Sequence, residues 1–413
     1  MEQTTRSIEA SPGSTDLAAG RSHPAVETTA AVVACIAILF AVSFVSLNDK
    51  AQPDLGAANP VLMPESGGII GATHTTLVSE FASFNTPGVV DGQVEAIAID
   101  GDTVFVGGTF TQIHDPLSDE IIDQPHLFAY SKSSGDILRG FDPQLNNPVL
   151  ALERTGDGTG VFAGGVFTNL NGEIRTGLVK IDNNGDRVSG FGARLDASVT
   201  TMVRLDNTLY IGGTFNSISG TPVEHLAAVD TTTGTVDPNL NLDFDGVISS
   251  TATNSIQSVD EVDITPDGKL LVIVGNFSII DGLSRHRVAV IELEGEATVS
   301  AWNTNVYDAR CPIERFPQYI FGMDVSPDGS YFVAGTSGFL IRDNPNDPND
   351  TRDNPACDTT NRFELTDLTN TDVQPTWTNY TGGDSVYEVV STCLLYTSPS
   401  PRDRTRSRMP SSA

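Results

Sequence analysis

Three stretches of the chain read almost alike: TVFVGGTFTQI at 103–113, GVFAGGVFTNL at 160–170 and TLYIGGTFNSI at 208–218. Paired glycines after a strand can cradle a phosphate, because the backbone N–H groups that follow face an anion at a helix N-terminus. That chemistry needs a helix after the glycines and, in its Walker form, a lysine. Here Thr-Phe or Val-Phe and further β-type residues follow, and no lysine holds the position. The glycines are therefore expected to serve packing. The six histidines, His23, His74, His114, His126, His225 and His286, show neither HExxH nor any paired ligand spacing. His126, His225 and His286 recur at or just before a third strand, which equivalent positions in a repeat explain. There is no GxSxG, and the nearest string, GTSG at 335–338, reads as a turn. The densest run of oxygen ligands is DNPNDPND at 343–350. It is the one place where calcium enters, although it lacks the glycine and terminal glutamate of an EF-hand loop and its prolines suit an exposed insert. No catalytic residue and no other cofactor is assigned.

The elements that would position any such group form a repeat. Each unit opens with a short alternating strand: VEAIAI (94–99), VLAL (149–152), VTTMV (199–203) and VDEVDI (259–264). A tight turn follows, DGD, GDG, DN or TPDG, of the composition that closes hairpins. The second strand ends in Gly107–Gly108, Gly164–Gly165 or Gly212–Gly213, with Gly275 in the variant VGNF, and two residues later stand Phe110, Phe167, Phe215 and Phe277. A third strand and a short fourth segment complete the unit near Phe141, Phe191, Leu240 and Trp302. The motif phenylalanines are 57, 48 and 62 residues apart, and four strands at a period near fifty is what a β-propeller blade needs. The glycines are expected to allow a bulge or a close backbone approach where inner strands crowd the axis, with the aromatic filling the gap between blades. A fifth unit, IFGMDV (320–325), SPDG and YFVAGT (331–336), keeps the order but loses one glycine and the phenylalanine.

The chain has 413 residues and a formal net charge of −30, which repels nucleic acid and anionic lipid headgroups. The division expected is a polar segment 1–28, an apolar segment 29–47, a Pro/Gly/Ala-rich linker 48–80, the propeller 81–392 and a tail 393–413. The eighteen uncharged residues AAVVACIAILFAVSFVSL (30–47) are long enough to span a bilayer, as a signal peptide or as an uncleaved anchor. Either way the rest lies outside the cytoplasm, and contact with a membrane is confined to 29–47. Of four cysteines, Cys35 lies in the apolar segment and Cys393 in the tail, leaving Cys311 and Cys357 as the expected disulfide of an oxidising compartment. VYEVV (386–390) reads as the first strand of a further blade, but CLLYTSPSPRDRTRSRMPSSA follows it instead of another Gly-Gly. The expectation is an all-β, incomplete propeller of four-stranded blades: about five blades, one orphan strand near 388, and a non-native tail that packs on nothing.

The repeat pattern, a V-x-A-like strand, a hairpin turn, [YFV]-[VIA]-G-G-x-F-[TN]-x-[IL] and a short strand with a Thr-Gly or Asn-Gly turn, resembles the delta-60 type propeller repeat over about residues 94–390. The later segment SPDGSYFVAGTSG…PTWTNYTGGDSVYEVV is similar to blades of large secreted bacterial surface proteins. The resemblance implies an extracellular binding or scaffold module, with a surface glycan or protein as ligand and no established activity. The alternative is a propeller enzyme. VDTTTG (229–234) resembles the A-x-D-x-x-T-G docking strand of quinone-cofactor dehydrogenases, but it leads to Asn239–Leu240 where that family has tryptophan. A lyase or hydrolase using acids at the axial mouth is the other enzyme class, and convergence of carboxylates from several blades would discriminate it.

Overall fold

A computed structural model describes residues 84–247, 256–308, 319–338, 356–381 and 385–391, with the backbone of 396–397. The described residues form no helix. They form five successive antiparallel units, each with an inner, a second and a third strand. The inner strands are Val94–Asp100, Val149–Arg154, Val199–Leu205, Ser258–Ile264 and Ile320–Val325. The second strands are Thr103–Gly108, Gly160–Gly165, Thr208–Gly213, Leu270–Asn276 and Tyr331–Thr336. A fourth strand is present in the last two units, as Thr298–Val299 and Trp377–Tyr380. In the first three it shrinks to one bridge, Tyr130 to Ile137, Ile181 to Arg187 and Val229 to Val236. The chain there turns inward at once, the Phe141 N–H donating to the Leu138 carbonyl at 2.8 Å, so the outer edge pairs only once.

The inner strands stand side by side in chain order, and the apolar clusters lie between units. Phe105, Leu127 and Phe141 of the first meet Val149, Val161 and Phe167 of the second. Phe162 and Phe191 of the second meet Met202, Leu209 and Phe215 of the third. Ring pairs repeat with the seams: Phe105 and Phe141 are edge-on at 5.3 Å, as are Phe162 and Phe191. Small sheets that bury both faces against their neighbours around a common line of inner strands make a β-propeller, and each unit is a blade. Fully buried rings such as Phe167 and Phe215 contribute about 2–3 kcal/mol each.

The two glycines of each pair do different things. A Cβ on the first would strike the inner strand of the next blade: 2.6 Å from Val149 Cγ1 at Gly107, 2.7 Å from Val199 Cγ1 at Gly164 and 2.7 Å from Val259 Cγ1 at Gly212. A Cβ on the second would strike a backbone carbonyl of its own blade: Gln93 at 2.0 Å from Gly108, Pro148 at 2.3 Å from Gly165, Ser198 at 2.1 Å from Gly213 and Ser258 at 2.2 Å from Gly275. That close approach accompanies a register shift in all five inner strands, between Val94 and Ala96, Val149 and Ala151, Val199 and Thr201, Val259 and Glu261, and Ile320 and Gly322. Phe110, Phe167, Phe215 and Phe277 are wholly buried. Phe110 differs in lying on the outward side of blade 1, edge-on to Phe128.

Between second and third strands each of blades 1–4 projects a small hairpin, as in Gln112–Asp115 with Glu120–Asp123 or Asn169–Leu170 with Glu173–Ile174. The linker from the preceding blade docks on it. Asp91, Asn146 and Asp196 repeat one polar clamp: the side-chain oxygen of each accepts two consecutive backbone N–H groups of the hairpin, at 2.8–3.1 Å.

Residues 385–391 occupy the place of a next inner strand. Val386 lies over Gly335 as Val149 lies over Gly107, and Val389 and Val333 share a cluster. Val390–Ser391 pairs with Tyr396–Thr397, so strand pairing continues past residue 393, where the sequence set the tail apart; residues 398–413 lie outside the described residues. On the other face of blade 1 the inner strand is open to solvent, although Val104, Val106, Phe110 and Phe128 are buried. Ile97 is 43% exposed, whereas the same position is 8% exposed at Leu152 and Met202, 2% at Val262 and 3% at Met323. The glycine geometry sets a direct test. Gly164→Ala and Gly212→Ala should each lower the unfolding free energy by about 1–3 kcal/mol through overpacking, read from urea melts. Gly140→Ala, where a Cβ meets nothing within 4 Å, should be near neutral.

Candidate functional site

The shared bulge aligns the inner strands residue for residue. Just after it stand Ala96, Ala151, Thr201, Glu261 and Gly322, and two residues on stand Ala98, Glu153, Val203, Asp263 and Asp324. Placing Val386 over Gly335 adds Glu388 to the first row. The acids thus collect on blades 4 and 5 and the strand after them. Glu261 accepts from the Thr201 hydroxyl at 2.8 Å, and Asp263 from the Val325 N–H at 2.7 Å. Asp324 accepts from the Ser391 N–H in the same way. Each carboxylate of this pair therefore holds the backbone of the following inner strand. Gly322 lets that strand come close, since a Cβ there would lie 2.7 Å from Glu388 Cα.

The charges acting on these carboxyls are mainly one another's. Burial raises the pKa of Glu261 well above the carboxylate range, and Glu388 adds to it. Burial and then the paired Asp324 raise Asp263, and burial raises Asp324. Glu388 moves the same way through burial and then Asp324, although its residue remains open to solvent on one side. On blade 2 burial takes Glu153 to about 7 against the opposing pull of Arg204 and Arg154. Beside the acids runs a short aromatic ladder: Tyr319 and Phe321 at 5.2 Å, then Phe321 and Tyr387 stacked at 5.0 Å. Carboxylates from several blades do converge, which keeps an acid–base reading in play. Yet two of them are engaged on backbone N–H groups and a third on a threonine.

The histidines do not converge. His126 and His225 share one repeat position with Gly177 and Arg287, all at positive φ (66°, 59°, 77° and 67°). His286 lies one residue earlier and meets Asp308, and His114 meets Asp119 at 3.0 Å. His23, His74 and the run 343–350 lie outside the described residues, among which no group of three His, Cys, Asp or Glu is arranged to hold a metal ion. In VDTTTG, Asp230 Oδ1 accepts from the N–H groups of Thr232 and Thr233 at 3.1 and 2.7 Å. That turn is closed on itself. Cys357 is fully buried and disulfide-bonded, and Cys311 lies outside the described residues, as does the apolar run 30–47. No described helix is long and apolar enough to cross a membrane.

No family model and no curated protein sequence matches the chain. Among solved structures it is similar to U3-55K, at 12% identity over 76% of this chain and 72% of that one, with a TM-score of 0.39. It is similar to the RRP9 WD40 repeats at 11% identity, over 74% and 86%, with a TM-score of 0.37. It is also similar to the β-propeller domain of Cps50 (Swd1) from Myceliophteria thermophila at 10%, over 74% and 92%, with a TM-score of 0.39. At that level the likeness adds nothing to the blade seams described above.

The inner-strand acids dictate a pH dependence. Their folded pKa values are raised, so between about pH 4 and 7 the native state binds more protons than the unfolded chain, and stability falls as pH rises through that window. Half-buried His126 and buried His225, whose pKa values burial lowers, push the other way but are fewer than the raised acids. Clamped surface acids such as Asp91, Asp157 and Asp230 have lowered values and lose their contribution only below about pH 4. Urea-derived stability should therefore peak near pH 5 and drop by about 2–4 kcal/mol by pH 8. Asp324→Asn, which retains an oxygen for the Ser391 N–H, should flatten that drop; an unchanged slope would show that the cluster does not titrate as described.

Proposed function

We propose that the chain is an extracytoplasmic binding or scaffold module of a bacterial surface protein, built from delta-60 type repeats. The observation that carries the reading is how the repeated polar and glycine residues are used. The glycines, the Asp91/Asn146/Asp196 clamps and the Asp263 and Asp324 clasps all hold blade to blade or hairpin to linker, and the projecting hairpins and linkers are left to vary for recognition. The buried disulfide of Cys357 supports an oxidising compartment, in keeping with the apolar run at 30–47. The enzyme reading draws on the converged axial acids, one of which could serve as a general acid near neutral pH. The backbone N–H groups that occupy Asp263 and Asp324 favour the structural role. Glycan and protein arrays probed with the purified chain should give saturable binding to one ligand class without turnover, and robust turnover without binding would reverse the assignment.

The partner proposed for Cys357 is Cys311. Their disulfide would close a loop of roughly 46 residues around blade 5, the blade whose repeat has decayed, stabilising it by about 4 kcal/mol in the chain-entropy model. A non-reducing digest read by mass spectrometry should contain the Cys311 and Cys357 peptides joined, with their release by reductant accompanied by a fall in Tm. A Cys357 peptide joined to Cys35 or Cys393 would overturn the pairing.

A further inference from the structure

The repeat supplies its own controls for a corner of blade 2. Arg175, just after the hairpin, Arg187, at the single outer bridge, and Arg194, on the linker into blade 3, lie together there. Arg175 Nη2 and Arg187 Nε both reach the same Glu173 Oε2, each at 3.2 Å. Arg175 also donates to the Ile174 carbonyl at 2.6 Å. After burial, the charges acting most strongly on Arg175 are those of Arg187 and Arg194. Arg194 is exposed and its guanidinium makes no ion pair among the described residues. Its backbone is fixed by the blade 3 hairpin, through the Ser219 hydroxyl at 3.2 Å and the Ser219 N–H at 2.7 Å.

Blades 1 and 3 close this corner without cations. The first of the three positions is Gln124 in blade 1, Val223 in blade 3 and Arg285 in blade 4, by the same backbone hydrogen bond to the residue after the motif aromatic. The second is Ile137 and Val236 by the bridges. The third is Gln144 and Asp243 on the neighbouring linkers, whose carbonyls accept from Asn171 and Asp281 as that of Arg194 accepts from Ser219. Blades 1 and 3 thus close the same corner with neutral or acidic residues, and blade 4 has an arginine only at the first position, Arg285, which is buried and donates to the Ser284 and Ser300 carbonyls. Blade 2 alone places three guanidiniums there, in a chain of net charge −30.

We propose that this seam between blades 2 and 3 is a recognition site for an oxyanion, a carboxylate or sulfate group carried by an otherwise uncharged ligand. Guanidinium N–H groups match planar and tetrahedral oxyanions in geometry and charge. A long polyanion fits poorly, because beyond a Debye length of about 8 Å the surrounding acidic surface repels it. The site deepens the binding-module reading and rests on it only for its use by the cell.

The test is titration of the folded chain at constant ionic strength with sodium sulfate, glucuronate and glucose, following the amide NMR signals of residues 173–176 and 194. Sulfate or glucuronate should shift them saturably and glucose should not, and binding of one oxyanion alone identifies which group the ligand carries. Arg194→Ala should weaken binding about tenfold, while Lys132→Ala on blade 1 should leave it unchanged. Absence of saturable shifts, equal weakening by the two variants, or an equal response to glucose would overturn the site. Array binding that survives Arg194→Ala would discard this seam while leaving the module reading intact.

Discussion

Everything in this molecule depends on how closely one inner strand can pass the blade before it. Val149, Val199, Val259 and Val386 each lie against a glycine of the preceding second strand, with no room for even a methyl group. The approach lets neighbouring sheets interlock near the axis, where they are narrowest, while the aromatics fill the wider space outside. A glycine inside a strand weakens the strand on its own, by lost chain entropy and lost side-chain packing. Here the loss is offset by the seam it makes possible, and that trade explains why the word recurs.

Polar side chains obey the same geometry. Asp91, Asn146 and Asp196 look like ordinary turn residues in the sequence, but each accepts backbone hydrogen bonds from a hairpin about twenty residues later. Asp263 and Asp324 do the same across a blade boundary, about sixty residues on. In both cases a carboxylate or amide oxygen satisfies backbone N–H groups that no ladder reaches, so the linker and the next strand are located as firmly as a sheet would locate them.

The glycine words, the alternating strands and the hairpin turns were legible because they are local patterns repeated with little change. The four-strand count was legible only in outline: the outer strand of blades 1–3 is a single bridge, because the chain turns inward directly after it. The inner-strand acids were not legible. Glu261, Asp263 and Asp324 alternate with apolar residues, as they would on a strand with one wet face, and only radial stacking turns that face inward. The signal lay in reading down the repeat, where Ala96 and Ala98 of blade 1 stand at the positions that carry Glu261, Asp263 and Asp324 on blades 4 and 5. The arginine corner was hidden for the same reason, its three members being ordinary surface residues until the blades are aligned.

The acids and the arginines mark opposite departures from one template. At the inner strands, blades 4 and 5 replace small residues with carboxyls that must share protons or repel, which makes the last seam the most sensitive to pH. At the outer corner, blade 2 gathers three cations where blades 1 and 3 have neutral or acidic residues. A departure that strains the core is tolerated where it also ties strands together, as the Val325 and Ser391 N–H groups show. A departure that neither packs nor caps anything, as at Arg194, lacks that structural justification. The internal repeat therefore separates what the fold requires from what has been added to it, and on that criterion the inner-strand acids belong chiefly to architecture and the arginine corner to recognition.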